Sequence, residues 1–559
     1  MQLHHPVSSN TELRYRAGTE QYRATVPSNG WRGTFLLDSG RRSASAQNIY
    51  RDKVSPTSLL ACKTFMDFVV LLAWLFTIAL AFFLHLIIFR RIKRREYLSP
   101  KLPPGPKKLP IIGNLHQVGG LTHRPLWHLS QKYGPLMHLK IGKVPILVVS
   151  SADMAREILK TNDFGFCSRP KLTSSNKFSY DCKDISFAPY GEYWREMRKI
   201  SILQLFSTKR VSTFHYVREE EVAIVIDSIS KSLSKPINLT KLVSTLISNI
   251  ICRVALNKKY DQGDLEMEHF HALVQETETL FGTFFISDCF PSLGWIDKLT
   301  GLQQRLERAF NKFDSFYNEI IEEHIDQKRR NVEQEDIVDV LLHQQKNSPY
   351  ITDTNIKAIL MDIFIAGIGT SSAIIIWAMA ELVRNSRIMQ KAQEEIRSSD
   401  HFSKGNLHQL HYLNSVVKET LRLHLPVPLL LPREAIRHCK ISGYDIEQDT
   451  RVFINAWGIA RDPKTWDNPE EFLPERFIEK SIDIIGHNFE LIPFGSGRRS
   501  CPGMNLGMAI VELALANLLY YFDWKFPEGM SKEEMDMDEV PGITVHRRTA
   551  LCLVASRYT

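Results

Sequence analysis

A glycine-rich segment near the end of the chain, residues 493–503, contains the residues best suited to chemistry. It reads PFGSGRRSCPG and stands directly before a predicted helix. Glycines let a backbone approach a flat ligand closely. Cys501 lies near the start of that helix beside Arg498 and Arg499, and both features favour a thiolate. The pattern therefore indicates a soft metal ligand, or else a tight turn that holds a structural cysteine.

The same segment resembles the haem-ligand signature of the cytochrome P-450 superfamily. Phe494, Gly497, Arg499, Cys501 and Gly503 occupy its fixed positions. The resemblance implies a haem b cofactor, with Cys501 as the thiolate ligand of the iron and with Phe494, Arg499 and Gly503 as haem contacts. A thiolate ligand pushes electron density onto the iron and favours O–O cleavage.

A second segment, residues 365–372, resembles the oxygen-activating helix of that family. Gly367 would open a groove for dioxygen, and Thr370 would donate a hydrogen bond and help to deliver protons. The acid that usually precedes the threonine is Gly369 here. We therefore expect Ser371, Ser372 or ordered water to substitute for that carboxylate. The alternative is a set of small residues that ease helix packing.

Three charged residues match two further motifs of the family. Glu419 and Arg422 stand one helical turn apart in an ExxR pattern, and Arg476 lies in a PERF segment. The resemblance implies a structural ion cluster of Glu419, Arg422 and Arg476 behind the haem, with charge-assisted hydrogen bonds.

Contacts to the haem propionates are also implied by the resemblance. Trp194 and Arg198 form a WxxxR motif, and Arg433 would make a second propionate contact. The likeness extends over residues 66–559 and is strongest to the plant A-type microsomal enzymes of specialised metabolism.

An uncharged apolar run at residues 68–89 is followed at once by five basic residues. As a helix it would extend roughly 33 Å, enough to cross a bilayer core. We predict a transmembrane signal anchor at 66–89, beginning at Met66, and a basic and proline-rich linker at 90–110. The positive-inside rule places everything after the anchor in the cytosol. Residues 1–65 are polar without periodicity, which predicts a disordered extension.

The remaining chain, residues 111–559, predicts one haem-binding catalytic domain. Strand patterns are few beside helical ones, so the fold class is mostly α with small β-sheets, the cytochrome P-450 fold preceded by one transmembrane helix. Helices are predicted at 152–160, 193–205, 217–232, 302–328, 356–383, 388–398, 406–423 and 503–522, and strands at 136–141, 145–149, 439–444 and 450–455.

Composition excludes several other classes of protein. The 559 residues are 44% hydrophobic and 24% charged, which is ordinary for a globular chain. The formal net charge of +8 is spread along the chain and fits an anionic membrane better than nucleic acid. The eight cysteines never form a CxxC pair, which indicates a reducing compartment rather than a disulfide framework.

Taken together, these features predict a haem-thiolate monooxygenase anchored in the endoplasmic reticulum membrane by a single span. Its partners would be an NADPH–cytochrome P-450 reductase, membrane lipid, dioxygen and a small hydrophobic plant metabolite. A terpenoid, phenylpropanoid, alkaloid or oxime substrate stays open. Two other functions also stay open: a thiolate-haem isomerase or dehydratase that needs no reductase, and a non-catalytic haem carrier or gas sensor.

The expected substrate-binding regions follow from the resemblance alone. They are residues 171–186, 281–295, 360–366, 427–431 and 542–545, which are rich in apolar side chains. An apolar pocket is therefore expected.

Overall fold

Long helices are the main regular elements of the folded chain. A computed structural model describes residues 67, 69–87, 100–119, 122–259, 265–326, 335–348, 350–399, 402, 406–480 and 482–558. The predicted disordered extension at 1–65 lies outside the described residues. The longer helices after the N-terminal one are α1 (His123–Tyr133), α2 (Glu192–Ile200), α3 (His215–Ser230), α4 (Leu239–Leu256), α5 (Leu265–Gly282), α6 (Leu302–Ile325), α7 (Ile337–Asn347), α8 (Asp353–Arg384), α9 (Ser386–Ser398), α10 (His411–Leu423) and α11 (Met504–Tyr521).

Shorter helices and strands connect these elements. Short α-helices are Ala152–Arg156, Asp163–Phe166, Thr173–Phe178, Thr208–Thr213, Trp295–Leu299, Ala456–Ile459 and Arg476–Glu479. The 3₁₀ turns are Leu115–Gln117, Ile286–Asp288, Pro291–Leu293, Leu407–Gln409 and Gly497–Arg499, and π turns occur at Glu157–Thr161 and Ser201–Leu205. The strands are β1 (Leu136–Ile141), β2 (Val144–Val149), β3 (Pro236–Asn238), β4 (Arg433–Glu434), β5 (Cys439–Ile441), β6 (Tyr444–Ile446), β7 (Arg451–Ile454), β8 (Phe522–Lys525), β9 (Glu539–Val540), β10 (His546–Arg547) and β11 (Cys552–Arg557).

The sheets are small and stand at the edges of the helical core. The largest has the order β1-β2-β7-β4, and β3-β11-β8 forms another. Strands β5 and β6 pair as a hairpin, as do β9 and β10. In the first sheet, Val149 of β2 pairs in parallel with Ile454 of β7, and Arg433 of β4 pairs with Val452 of β7. This pairing fixes Arg433 beside the central cavity.

Helix α8 passes through the middle of the domain. Its most apolar stretch has a mean hydropathy of 2.1 and is 78% buried. Apolar residues cover every face of it, as expected for a helix surrounded by others. Thr352 and Asn355 begin it with a capping box, in which each side chain accepts from the other residue's backbone. Helix α8 packs most extensively against α4 and also against α10 and α11.

The predicted fold class is confirmed, since the domain is mostly helical with small sheets. The strand predicted at 439–444 is instead the β5–β6 hairpin, which turns at Ser442 and Gly443. Helices α1, α4, α5 and α7 were not among the predicted helices. Helix α4 is apolar on most faces and 67% buried over its most apolar stretch, so it lacks the one-sided periodicity that reveals a surface helix.

The N-terminal helix Val69–Ile87 belongs to a separate compact unit. It has a mean hydropathy of 2.5 and none of its apolar stretch is buried, so its length and composition suit a membrane span. The second unit runs from Ser99 to Thr559. Part of the predicted linker therefore lies within this unit, where the backbone N–H of His138 donates to the Pro104 carbonyl at 2.8 Å.

The cysteines that the structure describes are all free thiols. Cys167, Cys182, Cys252 and Cys289 are buried, and burial raises the pKa of each of these four thiols. They are therefore less reactive than an exposed cysteine.

An ion cluster formed by Glu539, His123 and Arg124 predicts that the fold loses stability at low pH. Glu539 accepts from His123 Nε2 at 3.2 Å and pairs with Arg124 Nη2 at 3.0 Å. Burial alone would raise the pKa of Glu539, but His123 and Arg124 lower it from 4.5 to about 2. This stabilisation is complete above the unfolded pKa and is lost as pH falls through the folded value.

We expect Glu539→Gln to remove up to about 3 kcal/mol of unfolding free energy above pH 4.5, and progressively less below it. Urea unfolding at a series of pH values measures this difference. Glu533→Gln, which changes an exposed acid in the segment before β9, is the control and should leave the pH dependence unchanged. If the unfolding free energy depended on pH in the same way in wild type and Glu539→Gln, the lowered pKa of Glu539 would be contradicted.

Candidate active site

A cavity of about 280 Å³ lies between α8, α4, α10, the start of α11 and residues 493–503. Each of the five regions expected to bind substrate contributes to its wall. These contributions include Ile185, Phe281, Ala366, Leu430 and Ile543. The wall is mostly apolar, as expected. Ile251, Phe206, Leu421, Leu506 and Ile510 also line it, and they lie outside the expected regions.

The glycine-rich segment folds back on itself at the floor of this cavity. The Cys501 backbone N–H donates to the Phe494 carbonyl at 2.9 Å, which closes the loop. Gly497 has a φ of 72°, and a Cβ there would overlap the Leu159 carbonyl. Only glycine fits both the angle and the contact. Gly503 then begins α11, and a Cβ on it would lie 4.0 Å from Cys501 Sγ.

The surroundings of the Cys501 thiol differ from the sequence-based expectation. Burial raises its pKa, while the backbone N–H groups of Gly503 and Met504 and the charge of Arg198 act to lower it. Arg498 instead pairs with Asp163 at 3.0 Å. The prediction that Arg498 and Arg499 favour the thiolate was therefore wrong, because neither guanidinium faces the sulfur.

Arg499 points away from Cys501 into the protein. Its guanidinium donates to the carbonyls of Cys167, Ile185 and Ala188 and lies 4.0 Å from the Trp194 ring. Burial and the neighbouring Arg433 lower its pKa to about 9. The side chain thus holds the segments around the cavity together while keeping a positive charge close to it.

Four arginines carry positive charge to one side of the cavity. Arg169, Arg198, Arg433 and Arg499 all line it. Burial lowers the pKa of each, and repulsion from another arginine of the group lowers it further for Arg169, Arg198 and Arg499. This side of the cavity therefore fits an anionic group.

All three predicted propionate contacts have protein partners in this arrangement. Arg433 pairs with Asp163 at 3.0 Å and donates to the Ser496 carbonyl at 2.8 Å. The Trp194 indole N–H donates to the Ile185 carbonyl at 2.9 Å. Arg198 donates to the Ser500 carbonyl and to Ser500 Oγ. Trp194 therefore orients the arginines through its ring, and its N–H is not available to a ligand.

The segment of α8 that resembles the oxygen-activating helix borders the cavity. Thr370 lines it, and its hydroxyl donates to the Ala366 carbonyl at 2.6 Å. Gly367 also lines it, and a Cβ there would lie 3.0 Å from Ile251 Cδ1 of α4. Gly367 thus lets the two helices approach closely. A Cβ on Gly369 would overlap the carboxylate of Glu278, on α5.

The serines expected to replace the missing acid differ in their surroundings. Ser371 lines the cavity and is 3% exposed. Ser372 Oγ is buried and has no hydrogen-bond partner among the described residues. The carboxylate beside Gly369 instead belongs to Glu278, on α5. No local motif around Thr370 could reveal this contact.

Glu419, Arg422 and Arg476 meet in one ion cluster, as predicted. Glu419 accepts from Arg422 Nε at 2.8 Å and from Arg476 Nε at 3.1 Å. Glu419 and Arg422 are both fully buried. Arg422 also donates to the carbonyls of Ala460, Pro469 and Glu471, so the pair ties α10 to the long loop that follows β7.

A pair of carboxyl groups on the cavity wall was missed by sequence reasoning. Asp184 and Asp362 both line the cavity. Burial raises the pKa of both carboxyls, and repulsion by Asp362 raises that of Asp184 further. Asp362 Oδ2 accepts from the backbone N–H groups of Ile185 and Ser186 at 2.8 and 3.3 Å. These carboxyls are polar groups in a mostly apolar wall.

A cysteine exposed to a cavity, glycines that admit a flat ligand, and arginines for anionic groups together fit a haem with a thiolate ligand. The family model of cytochrome P-450 matches residues 103–554. The chain therefore belongs to the cytochrome P-450 family and is a monooxygenase that uses haem.

Similar plant proteins support this conclusion. The chain is 49% identical over 497 residues to strychnine-11-hydroxylase of Strychnos nux-vomica, covering 87% of this chain and 98% of that protein. It is 50% identical to cytochrome P-450 71A9 of Glycine max, covering 82% and 93%. It is 47% identical to phenylacetaldehyde oxime monooxygenase CYP71AN24 of Prunus mume, covering 82% and 90%.

Solved structures support the fold. Two zebra fish cytochrome P-450 structures, one with abiraterone and one with progesterone, each superpose with a TM-score of 0.66. They are 24% and 26% identical to this chain, and each comparison covers 78% of this chain and 99% of the other. The fold is therefore the cytochrome P-450 fold.

Proposed function

We propose that the protein is a membrane-anchored monooxygenase that inserts one oxygen atom into a small hydrophobic plant metabolite. Electrons would come from NADPH through a cytochrome P-450 reductase in the endoplasmic reticulum membrane. The observation that carries this proposal is the apolar cavity that contains both Cys501 and Thr370. The haem, when bound to the thiolate, supplies the activation of dioxygen.

The residues of the cavity have separate tasks in this proposal. Cys501 would bind the iron, and Arg198 and Arg433 would neutralise the propionates. The apolar wall would exclude water and hold the substrate, while Asp362 and Asp184 would orient a polar group on it. Thr370 would hold a proton at Oγ1 close to the reacting oxygen.

The anchor and the topology are part of the same proposal. Residues 66–89 would cross the membrane once, with the domain in the cytosol. The exposed apolar surface of Val69–Ile87 and the basic residues that follow support this arrangement. Helices α4, α8 and α11 are also long and apolar, but much of each is buried within the domain.

Expression in microsomes with a plant reductase and a metabolite panel tests the proposal. We expect NADPH-dependent oxidation of one or more hydrophobic compounds. Full turnover without reductase would instead favour the isomerase or dehydratase function. Haem binding without turnover of any compound would favour a carrier or sensor.

Thr370→Ala should lower the product formed per NADPH consumed, roughly ten-fold, and release more hydrogen peroxide. The reason is the loss of the hydroxyl that holds a proton beside the reacting oxygen. Thr354→Ala, on the first turn of the same helix, is the matched control and should behave as wild type. An unchanged ratio in Thr370→Ala would contradict the role of this hydroxyl.

A further inference from the structure

The space beside Gly369 is filled by a carboxylate from another helix. A Cβ built on Gly369 would overlap Glu278 Oε1 and lie 2.7 Å from Glu278 Cδ. A glycine inside a helix costs about 1 kcal/mol relative to alanine. The contact explains why this position nevertheless carries glycine, because any side chain at 369 would displace Glu278.

The Glu278 carboxylate is buried and only partly satisfied. The residue is 5% exposed. Its Oε2 lies 3.2 Å from His546 Nε2, whereas Oε1 has no hydrogen-bond partner among the described residues. A buried acceptor without a partner is costly, and such a group usually binds an ordered water or has a functional role.

His546 connects this carboxylate to the surface. It lies on β10, and its side chain is 37% exposed whereas that of Glu278 is 6% exposed. The backbone around it is fixed to α5, since the Ile543 N–H donates to the Glu278 carbonyl at 3.4 Å. An imidazole can both accept and donate a proton, so His546 is suited to pass protons between solvent and the buried carboxylate.

We propose that Glu278 is the carboxylate of the proton route to Thr370. Protons would pass from solvent through His546 to Glu278, and from there through an ordered water to the Thr370 hydroxyl. The carboxylate that the family resemblance leads one to expect at 369 is thus supplied by α5. Glu278 acts through Thr370, so it is a positioning residue, and this inference rests on the proposed function.

The reaction stoichiometry gives the measurable consequence. Hydroxylation converts substrate, O₂, NADPH and one proton into hydroxylated substrate, water and NADP⁺. When protons are delivered to the wrong place, the two electrons of NADPH instead convert O₂ and a proton into H₂O₂ and NADP⁺. The ratio of product to NADPH therefore reports how well protons are directed.

Glu278→Gln keeps the shape of the side chain and removes its proton-exchanging group. We expect product per NADPH to fall roughly ten-fold, with a matching rise in peroxide and unchanged KM and haem content. Glu276→Gln, two residues away and paired with Arg305 on the surface, is the control and should match wild type. If product per NADPH were unchanged in Glu278→Gln while the wild-type enzyme turns over, the role of Glu278 would be refuted. The proposed function would be unaffected.

A swap of the two positions provides the complementary test. The double variant Glu278→Ala with Gly369→Asp should recover most of the product per NADPH that Glu278→Ala loses, because the new aspartate on α8 supplies the carboxylate. Failure of this rescue in a folded, haem-loaded variant would count against the relay. A wild-type enzyme without any NADPH-dependent oxidation would overturn the proposed function instead.

Thermal unfolding of the purified full chain tests the contact without any turnover. Gly369→Ala should lower the unfolding midpoint in the wild-type background and lower it much less in a Glu278→Ala background. Such non-additivity is expected for residues in contact and not for distant, independent ones. Additive effects would show that the Glu278 carboxylate does not occupy the space beside Gly369.

Discussion

Cys501→Ser is expected to abolish the thiolate signature in the reduced carbon monoxide difference spectrum, together with product formation. A neutral hydroxyl cannot provide the electron push of a thiolate. The backbone N–H groups of Gly503 and Met504 direct hydrogen bonds at this one sulfur, at the floor of the cavity. Both losses should therefore be close to complete.

Cys439→Ser is a suitable control for this experiment. Cys439 is half-buried on the β5–β6 hairpin, and it does not line the cavity. The Cys439→Ser variant should keep the wild-type carbon monoxide difference spectrum. If the Cys501→Ser spectrum also stayed unchanged, another cysteine would have to bind the iron, and the assignment of the site would fail.

Glu419→Ala is expected to destabilise the domain by about 3–5 kcal/mol, because it leaves Arg422 and Arg476 without their counter-charge. Arg422 is fully buried, so water cannot replace the lost carboxylate. The Leu473 backbone N–H, which donates to Glu419 Oε1 at 2.8 Å, would also lose its acceptor. We expect a protein that unfolds readily and retains little haem.

Thermal unfolding and haem content measure this effect. Glu479→Ala is the control, since Glu479 is exposed on the same short helix as Arg476. It should change stability by less than about 0.5 kcal/mol. A Glu419→Ala protein with wild-type stability and haem content would show that the ion cluster does not hold the domain together.

Some features of the site could be predicted because their function depends on residues close together in the chain. The loop at 493–503 contains its glycines, its cysteine and the following helix in one short segment. Helix α8 could be predicted because its length and hydropathy leave few alternatives. The ion cluster joins two segments, but each has its own local motif.

Other features depend on contacts between distant segments, and the sequence does not reveal them. The residues next to Cys501 in sequence, Arg498 and Arg499, turn away from it to Asp163 and to backbone carbonyls. The charge that acts on the thiol comes from Arg198, on α2. Likewise, the gap left by Gly369 is filled by Glu278 from α5, far away in the chain.

The most direct test of the monooxygenase assignment uses isotopically labelled dioxygen. The holoenzyme, reductase and NADPH are incubated with the best substrate from the panel under labelled O₂, and the mass of the product is determined by mass spectrometry. We predict one labelled oxygen atom per product molecule, and none when reductase is omitted. Product that lacks the label, or that forms equally well without reductase, would contradict the account.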